Sequence, residues 1–393
     1  MSLKGFQFSA VEAAIKKPGR LDLALIFSQD PAQVAAVFTT NKVQAAPVVI
    51  SRQRAANGSA RALIVNSGNA NACTGEQGMT DALECGRRVS ELLGLPDDEL
   101  LIASTGVIGQ ALPMDRFRKA IQPLVDGVAV GTLEDVADAI MTTDTFPKLE
   151  RRRGEAGGVG YAIEGVAKGA GMIQPNMATM LSFLVTDAAV DPDFLKSAFT
   201  EAVDGSFNAI TVDGDTSTND TALIMANGAA GNPVIKAGTP EGASFLALLH
   251  DVLLSLAKQI VKDGEGATKF VEIRVKGAES HADAKKAALS VANSLLVKTA
   301  FFGQDANWGR IIAAVGYAGI PMDPDRVEIR FDDVVMARHG IFAGGDAETA
   351  GTEVLKQKEF TVTIDLHIGA GEAAVYTSDL SYDYVRINAD YRT

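Results

Sequence analysis

Short apolar runs alternate with amphipathic stretches along all 393 residues, and this alternation limits the fold more than any other feature. Short apolar runs favour buried strands, whereas apolar residues spaced three or four apart favour helices. Strands are predicted at residues 21–27, 47–50, 62–66, 99–104, 270–275, 326–336, 360–366 and 373–377, and helices at 82–93, 115–125, 133–142, 242–261, 280–296 and 306–315. Because the two types interleave, we predict an α/β (α+β mixed) fold with layered sheets.

The chain is too long for one simple core, so we expect two lobes. The polar, Gly-rich segment 150–160 predicts an exposed turn in the first half. An Asp-Pro-Asp signal at 191–193 predicts the start of a helix in the second half.

Composition excludes several classes of protein. Apolar residues make up 47% and charged residues 22%, which is typical of a globular protein. The net charge of −13 makes nucleic acid an unfavourable partner. No apolar run approaches the roughly 18 residues of a membrane span, and the N-terminus lacks the apolar core of a secretory signal. We therefore expect a cytoplasmic protein without a membrane partner.

Cysteine and histidine are too sparse and scattered for several common kinds of site. Cys73 and Cys85 cannot form a disulfide framework or a four-thiolate metal site, and free thiols are expected. None of the four histidines lies in a ligand-spaced motif, which argues against a Ser-His-Asp hydrolase and a histidine-based metal enzyme.

Residues 168–180, Lys-Gly-Ala-Gly-Met-Ile-Gln-Pro-Asn-Met-Ala-Thr-Met, precede an apolar run that predicts a strand. Cleavage of the Ala178–Thr179 bond would give Thr179 a free α-amine with a pKa of about 7.7–8.0. That amine could serve as the general base for the hydroxyl of the same residue. From the residues alone, a Gly-rich turn before an ordinary buried strand is the simpler interpretation.

The string KGAGMIQPNMATML closely resembles the self-cleavage segment of the ornithine acetyltransferase family, also called the glutamate N-acetyltransferase family. Further similar segments, among them 66–71 and 305–310, extend the resemblance over nearly the whole chain. It implies cleavage between Ala178 and Thr179 into an α chain, 1–178, and a β chain, 179–393. It also implies an α₂β₂ heterotetramer and a layered fold reminiscent of N-terminal-nucleophile hydrolases.

The resemblance implies an enzyme of arginine biosynthesis that moves the acetyl group of N-acetylornithine to glutamate. The hydroxyl of Thr179 would carry the acetyl group in a ping-pong cycle. Neither a metal nor a prosthetic group is implied. Some family members also use acetyl-CoA as the acetyl donor, and no residue in the sequence decides whether this chain does.

Thr105 and Gly106 follow a predicted strand in the motif 104–109. A glycine amide and a threonine hydroxyl could together stabilise an oxyanion, although from the residues alone a simple strand-to-helix turn is the favoured interpretation. By the resemblance, these two residues form the oxyanion hole.

The resemblance assigns substrate binding to residues that are widely separated in sequence. A lysine can bind a carboxylate, and a glutamate in a Gly-rich loop can bind an ammonium group. An unrelated surface lysine and a solvated loop carboxylate are the alternatives. The residues implied are Thr142, Lys168, Thr179, Glu265, Asn388 and Thr393.

Two other motifs resemble ligand sites without meeting their requirements. The acidic stretch 211–220 departs from the calcium-binding EF-hand loop, so we predict a turn in which Asp and Thr side chains form local hydrogen bonds. The stretch is also similar to a family segment near the active site, and the resemblance implies that it shapes the pocket without binding a metal. The stretch 262–269 lacks the glycine and lysine spacing of a phosphate-binding loop.

Two alternatives to the transferase stay open. One is an N-terminal-threonine amidohydrolase in which water replaces glutamate as the acceptor. The other is an uncleaved amino-acid-binding protein that holds its ligand between Lys168 and Glu265.

Overall fold

The computed structural model describes residues 3–174 and 180–390. The strands are β1 (Phe6–Val11), β2 (Leu23–Phe38), β3 (Ser59–Asn66), β4 (Leu100–Ser104), β5 (Lys148–Ala156), β6 (Val159–Lys168), β7 (Leu181–Thr186), β8 (Ile210–Thr211), β9 (Thr221–Ala226), β10 (Phe270–Ala278), β11 (Glu328–Phe331), β12 (Val334–Arg338), β13 (Ile341–Phe342), β14 (Glu359–Asp365) and β15 (Gly371–Ser378). The helices are α1 (Ala46–Ala55), α2 (Gly75–Leu93), α3 (Met114–Asp126), α4 (Leu133–Ile140), α5 (Pro192–Asp204), α6 (Pro240–Lys262), α7 (His281–Ala292), α8 (Leu295–Phe302), α9 (Trp308–Gly316), α10 (Ala347–Leu355) and α11 (Tyr382–Asp390).

The first sheet has the strand order β4-β3-β2-β9-β7-β6-β5, with β1 paired to β2. The pairs β3–β4 and β7–β9 are parallel and the others are antiparallel. Successive side chains of a strand point to opposite faces. Accordingly, Leu23 and Leu25 pack toward α1, α2 and α3, whereas Ala24 and Ile26 pack toward α4.

The second sheet has the order β13-β12-β11-β14-β10-β15-β8. Strand β14 pairs in parallel with β10 and antiparallel with β11. Helix α6 contacts β5 and β6 of the first sheet and β15 of the second, so it lies between the sheets. This arrangement confirms the predicted mixed α/β class with layered sheets.

Helix α6 is long and apolar enough to cross a membrane by length and composition alone. Phe245, Leu249, Leu253 and Leu256 on this helix are fully buried in the core that it forms with the first sheet. The length and composition of α6 are therefore explained by its place as a core helix.

The prediction of a strand at 47–50 was wrong, because these residues belong to α1. Pro47 occupies the first turn of that helix, where its missing amide hydrogen costs nothing. A short apolar run does not distinguish a strand from a buried helix segment, and tertiary packing decided the outcome here.

The prediction of an exposed turn over 150–160 was also wrong, because β5 and β6 form a hairpin there. The turn is confined to Gly157 and Gly158, whose φ angles of 58° and 80° suit a two-residue hairpin. Strand β5 lies at the sheet edge and carries the exposed Arg151 and Arg153, so it lacks the apolar alternation that marks a strand.

The predicted boundary at 178/179 does not separate the two sheets. Strands β7 and β9 follow that position in sequence but lie inside the first sheet, between β2 and β6. A chain starting at Thr179 would therefore remain hydrogen-bonded to the first chain on both sides. Cleavage at this position stays a prediction, since Ala178 and Thr179 lie outside the described residues.

Cys73 is exposed, Cys85 is buried, and both are free thiols, as predicted.

Candidate active site

A cavity of about 230 Å³ lies where several strands and loops of the first sheet meet α11. Six of the residues singled out in the sequence line it together: Thr105, Gly106, Thr142, Lys168, Glu265 and Asn388. Met180, which directly follows Thr179 in sequence, also lines it. The other singled-out positions, Ala178, Thr179 and Thr393, lie outside the described residues.

Thr105 and Gly106 follow β4 and are fixed by the neighbouring loop. The Thr105 amide donates to the carbonyl oxygen of Asn66 at 2.9 Å, and Thr105 bridges to Asn69. Gly106 has a φ of 135°, and a Cβ there would lie 2.3 Å from the carbonyl carbon of Gly68. No hydrogen bond within residues 3–174 and 180–390 uses the Gly106 amide, which leaves it available to a ligand.

Lys168, at the end of β6, points its ammonium group toward the same place. Its Nζ donates to the Thr105 hydroxyl oxygen at 3.4 Å. This leaves the hydrogen of the Thr105 hydroxyl free to be donated to a bound oxyanion. Burial lowers the pKa of Lys168, while the nearby carboxylate of Asp144 acts to raise it. Within the described chain, no carboxylate lies within 4.0 Å of the ammonium group, so it can bind the carboxylate of a substrate.

We expect Gly106→Ala to lower kcat for acyl transfer by about 10²-fold or more, because the new methyl group displaces an oxyanion donor. The measurement is steady-state kinetics with each substrate varied. Gly109→Ala is the matched control, since Gly109 also has a positive φ, 77°, but has open space around a Cβ. If kcat of Gly106→Ala equals that of the wild type, the Gly106 amide does not stabilise the oxyanion.

Glu265 and Asn388 both line the cavity and are hydrogen-bonded to each other. The Asn388 side-chain amide donates to Glu265 Oε2 at 2.7 Å and thereby orients that carboxylate. Gly171 makes room for it, since a Cβ there would lie 2.4 Å from Glu265 Oε2. Lys168 and Glu265 thus place one positive and one negative group around the same cavity, an arrangement suited to an amino acid that carries both charges.

The acidic stretch 211–220 organises the loop that leads to residue 174. Asp213 accepts from the amides of Met172 and Ile173 at 2.6 and 2.8 Å, and the Tyr384 hydroxyl donates to it. The Gln174 amide donates to the carbonyl oxygen of Asp215. In residues 3–174 and 180–390, no group of three or more His, Cys, Asp or Glu side chains is arranged to hold a metal ion. Asp213, Asp215 and Asp220 of this stretch line the cavity.

A buried ion-pair network connects the loops that line the cavity. The sequence analysis did not identify it. Lys148 Nζ lies 2.8 Å from Asp144 Oδ1 and 2.5 Å from Asp263 Oδ2, and none of the three side chains is more than 1% exposed. Asp144 in turn accepts from the amides of Thr142 and Gly169. Lys148 therefore joins the loop of Thr142 to the loop that carries Glu265.

Burial alone would raise the pKa of Asp144, but the ammonium groups of Lys168 and Lys148 hold it below its ordinary value. A carboxyl whose folded pKa is depressed stabilises the fold above its unfolded pKa of about 3.9 and loses that contribution as pH falls. We expect the urea midpoint of the wild type to fall more between pH 6 and pH 3 than that of Asp144→Asn. Equal falls would contradict this assignment.

Asp220 is a second residue that sequence reasoning did not single out. It is 2% exposed, lines the cavity, and its Oδ2 has no hydrogen-bond partner in the described chain. Burial raises its pKa well above the ordinary value. The adjacent Thr221 amide donates to the carbonyl oxygen of Met180, so Asp220 lies close to the residue that follows Thr179 in sequence. No sequence pattern distinguishes this aspartate from Asp213 or Asp215.

Comparisons with known proteins identify relatives that match this chain over its whole length. Arginine biosynthesis bifunctional protein ArgJ of Geobacter sulfurreducens is 69% identical over 393 residues, all of both chains. A crystal structure of the protein of that name from Bacillus halodurans is 43% identical, with a TM-score of 0.52, and covers 54% of this chain and 100% of that chain. Ornithine acetyltransferase from Mycobacterium tuberculosis, solved in complex with ornithine, is 37% identical, with a TM-score of 0.40, and covers 45% of this chain and 94% of that one. The ArgJ family model matches residues 7–393, and this chain therefore belongs to the ArgJ family.

Proposed function

We propose that this chain transfers the acetyl group of N2-acetylornithine to glutamate through an acetyl-Thr179 intermediate. The proposal rests on one observation: six residues that are far apart in sequence line the same cavity. They are Thr105, Gly106, Thr142, Lys168, Glu265 and Asn388. The cavity combines an available amide, a polarised hydroxyl and two opposite charges. These are the groups needed to hold an amino acid and an oxyanion together.

The nucleophile arises when the precursor cleaves itself between Ala178 and Thr179. The Thr179 hydroxyl attacks the carbonyl carbon of Ala178, the peptide C–N bond breaks, and water then hydrolyses the ester. Two observations support this step. Met180 lines the cavity. The Bacillus halodurans chain is matched over its full length yet covers slightly more than half of this chain, the share that a chain from Thr179 to Thr393 would have.

In the mature enzyme, the Thr179 hydroxyl attacks the acetyl carbonyl of N2-acetylornithine, and the α-amine of Thr179 takes the proton. The Gly106 amide and Thr105 hydroxyl stabilise the oxyanion. Ornithine leaves with the proton, and the amine of glutamate then attacks acetyl-Thr179. N-acetylglutamate forms and the Thr179 hydroxyl recovers its hydrogen.

Lys168 and Glu265 hold the charged ends of the substrate in this proposal. Lys168 binds its carboxylate and Glu265 binds its ammonium group, while Thr142, Asn388 and Thr393 complete the contacts. No metal or prosthetic group takes part. The resemblance supports an α₂β₂ heterotetramer in the cytoplasm and acetyl-CoA as a second acetyl donor.

The intact mass of the purified wild type under denaturing conditions tests the proposal, together with an assay for N-acetylglutamate. We expect two fragments that meet at Ala178/Thr179, and product that requires both N2-acetylornithine and glutamate. Acetate release without glutamate dependence would favour the amidohydrolase. A single chain that binds ornithine without turnover would favour the amino-acid-binding protein.

We expect Glu265→Gln to lower kcat/KM for N2-acetylornithine by about 10- to 100-fold, because a charge-assisted hydrogen bond to the ammonium group is lost. Glutamine keeps the shape and can still accept from Asn388. The measurement is initial-rate kinetics, with Glu201→Gln on the exposed surface of α5 as the control. Equal kcat/KM values for Glu265→Gln and Glu201→Gln would mean that Glu265 does not bind the substrate.

A further inference from the structure

The oxyanion donors Thr105 and Gly106 are held in place by a side chain that has no part in the transfer proposed above. This side chain is that of Asn219, which lines the active-site cavity and is 5% exposed. It lies two residues before β9, in the acidic stretch 211–220. Its amide group contacts the backbone of the segments that form the oxyanion site.

The side-chain nitrogen of Asn219 donates to two backbone carbonyl oxygens. It lies 2.8 Å from the carbonyl oxygen of Ser104 and 2.6 Å from that of Ala70. Because a carbonyl oxygen only accepts hydrogen bonds, the NH2 group of the amide must face these two atoms. The amide oxygen points the other way and accepts from the Thr218 hydroxyl at 2.6 Å. Both amide hydrogens are therefore in use, and the orientation of the side chain is fixed.

The two carbonyl groups belong to the two segments that build the oxyanion site. Ser104 ends β4 and directly precedes the two donors. Ala70 belongs to the same loop as Gly68, against which Gly106 packs so closely that a Cβ on Gly106 would lie 2.3 Å from the Gly68 carbonyl carbon. Asn219 thus binds both segments at once and holds them together.

The same residue is tied to the start of β7, the strand that follows the proposed nucleophile. Two residues after Asn219, the Thr221 amide donates to the carbonyl oxygen of Met180 at 3.0 Å. From there β9 pairs in parallel with β7. Three consecutive residues therefore connect the amide that holds the oxyanion site to the residue that precedes β7.

We propose that Asn219 is a positioning residue, which holds the oxyanion donors in place relative to β7 and the nucleophile before it. The inference rests on the proposed function, because acyl transfer at Thr179 is what creates the oxyanion. After the proposed cleavage, Asn219 belongs to the β chain, whereas Ser104 and Ala70 belong to the α chain. Its two hydrogen bonds then keep donors on one chain aligned with a nucleophile on the other.

A positioning role of this kind affects the rate of the reaction and not the binding of the substrate. The oxyanion develops only in the transition state, and a displacement of about 1 Å at the reacting centre can cost about 10²-fold in rate. Lys168 and Glu265, which are proposed to hold the amino acid, are not hydrogen-bonded to Asn219 in the described part of the chain. Loss of the Asn219 amide should therefore lower kcat and leave the affinity for ornithine unchanged.

Asn219→Ala tests the inference, and Asn232→Ala is the matched control. Asn232 is also buried, at 6% exposure, and its amide also donates to two backbone carbonyls, those of Ala189 and Pro233. It is not among the described residues that line the cavity. We expect kcat, counted per cleaved chain from the intact mass, to fall about 10²-fold in Asn219→Ala and less than about 2-fold in Asn232→Ala. The equilibrium affinity for ornithine, measured by titration calorimetry, should stay within about 2-fold of the wild type in both.

Asn219→Ser gives a second readout, which also serves if the alanine variant does not fold. A serine hydroxyl donates one hydrogen bond and so replaces at most one of the two contacts. We expect its kcat to lie about 10-fold below that of the wild type, again with unchanged affinity for ornithine.

Two results would overturn the inference while leaving the proposed function intact. One is a kcat for Asn219→Ala or Asn219→Ser that equals the kcat of Asn232→Ala. The other is an affinity for ornithine that falls in step with kcat, since Asn219 would then shape the cavity as a whole. A wild type without glutamate-dependent transfer would refute the proposed function, and the inference with it.

Discussion

Thr179→Ala is expected to leave one uncleaved chain of 41.2 kDa and to lower acetyl transfer by at least about 10⁴-fold. The substitution removes the hydroxyl that would attack both the Ala178 carbonyl and the acetyl donor. Without cleavage, no α-amine forms at position 179, so the general base is lost as well. Intact mass under denaturing conditions and a glutamate-dependent transfer assay measure the two effects.

Thr179→Ser is the matched control, since it keeps a hydroxyl at the same position. We expect it to cleave, more slowly than the wild type, and to retain measurable transfer. Cleavage of Thr179→Ala at the same bond would show that a group other than the Thr179 hydroxyl performs it. Wild-type transfer by Thr179→Ala would refute the acetyl-threonine intermediate.

Lys148→Met is expected to lower the free energy of unfolding by about 3–5 kcal/mol, because it leaves two buried carboxylates without their shared partner. Methionine retains most of the side-chain length, so the loss reports on charge more than on packing. Asp144 and Asp263 position the loops of Thr142 and Glu265, and substrate affinity should fall as well. Urea unfolding and KM for N2-acetylornithine are the measurements.

Lys119→Met, on the exposed face of α3, is the control and should change stability by less than about 0.5 kcal/mol. Adding Asp263→Asn to Lys148→Met should recover part of the lost stability, because one of the two unpaired charges is removed. A loss below about 1 kcal/mol for Lys148→Met would mean that water or another cation neutralises the two carboxylates.

Local pattern was sufficient for the elements whose signals are strong. Helix α6 was predicted within a few residues because Leu249, Val252 and Leu256 repeat at helical spacing over a long stretch. Helix α5 was predicted from Asp191, whose side chain caps it by accepting from the Phe194 amide. Pattern failed at α1 and β5, where a short apolar run and an edge strand rich in arginine carry weak periodic signals.

The sequence motifs and the family resemblance together predicted six site residues that the structure brings into one cavity. They are Thr105, Gly106, Thr142, Lys168, Glu265 and Asn388. Neither the motifs nor the resemblance predicted Asp220 or the network of Asp144, Lys148 and Asp263. Asp144, Lys148 and Asp263 are polar residues in loops or at a strand end, where a solvated side chain is the ordinary expectation. Only their burial in the folded chain distinguishes these three residues from ordinary surface residues.

The sequence by itself determined the mixed α/β class, the free cysteines and the Gly-rich segment before Thr179 with its family resemblance. These properties follow from local periodicity, composition and contiguous motifs, which need no knowledge of distant contacts. Only the tertiary structure decided that β7 and β9 enter the first sheet and that Lys148 pairs with Asp263, 115 residues away. Such features depend on which buried groups meet after the chain has folded, and pairings between residues far apart in sequence leave no local pattern.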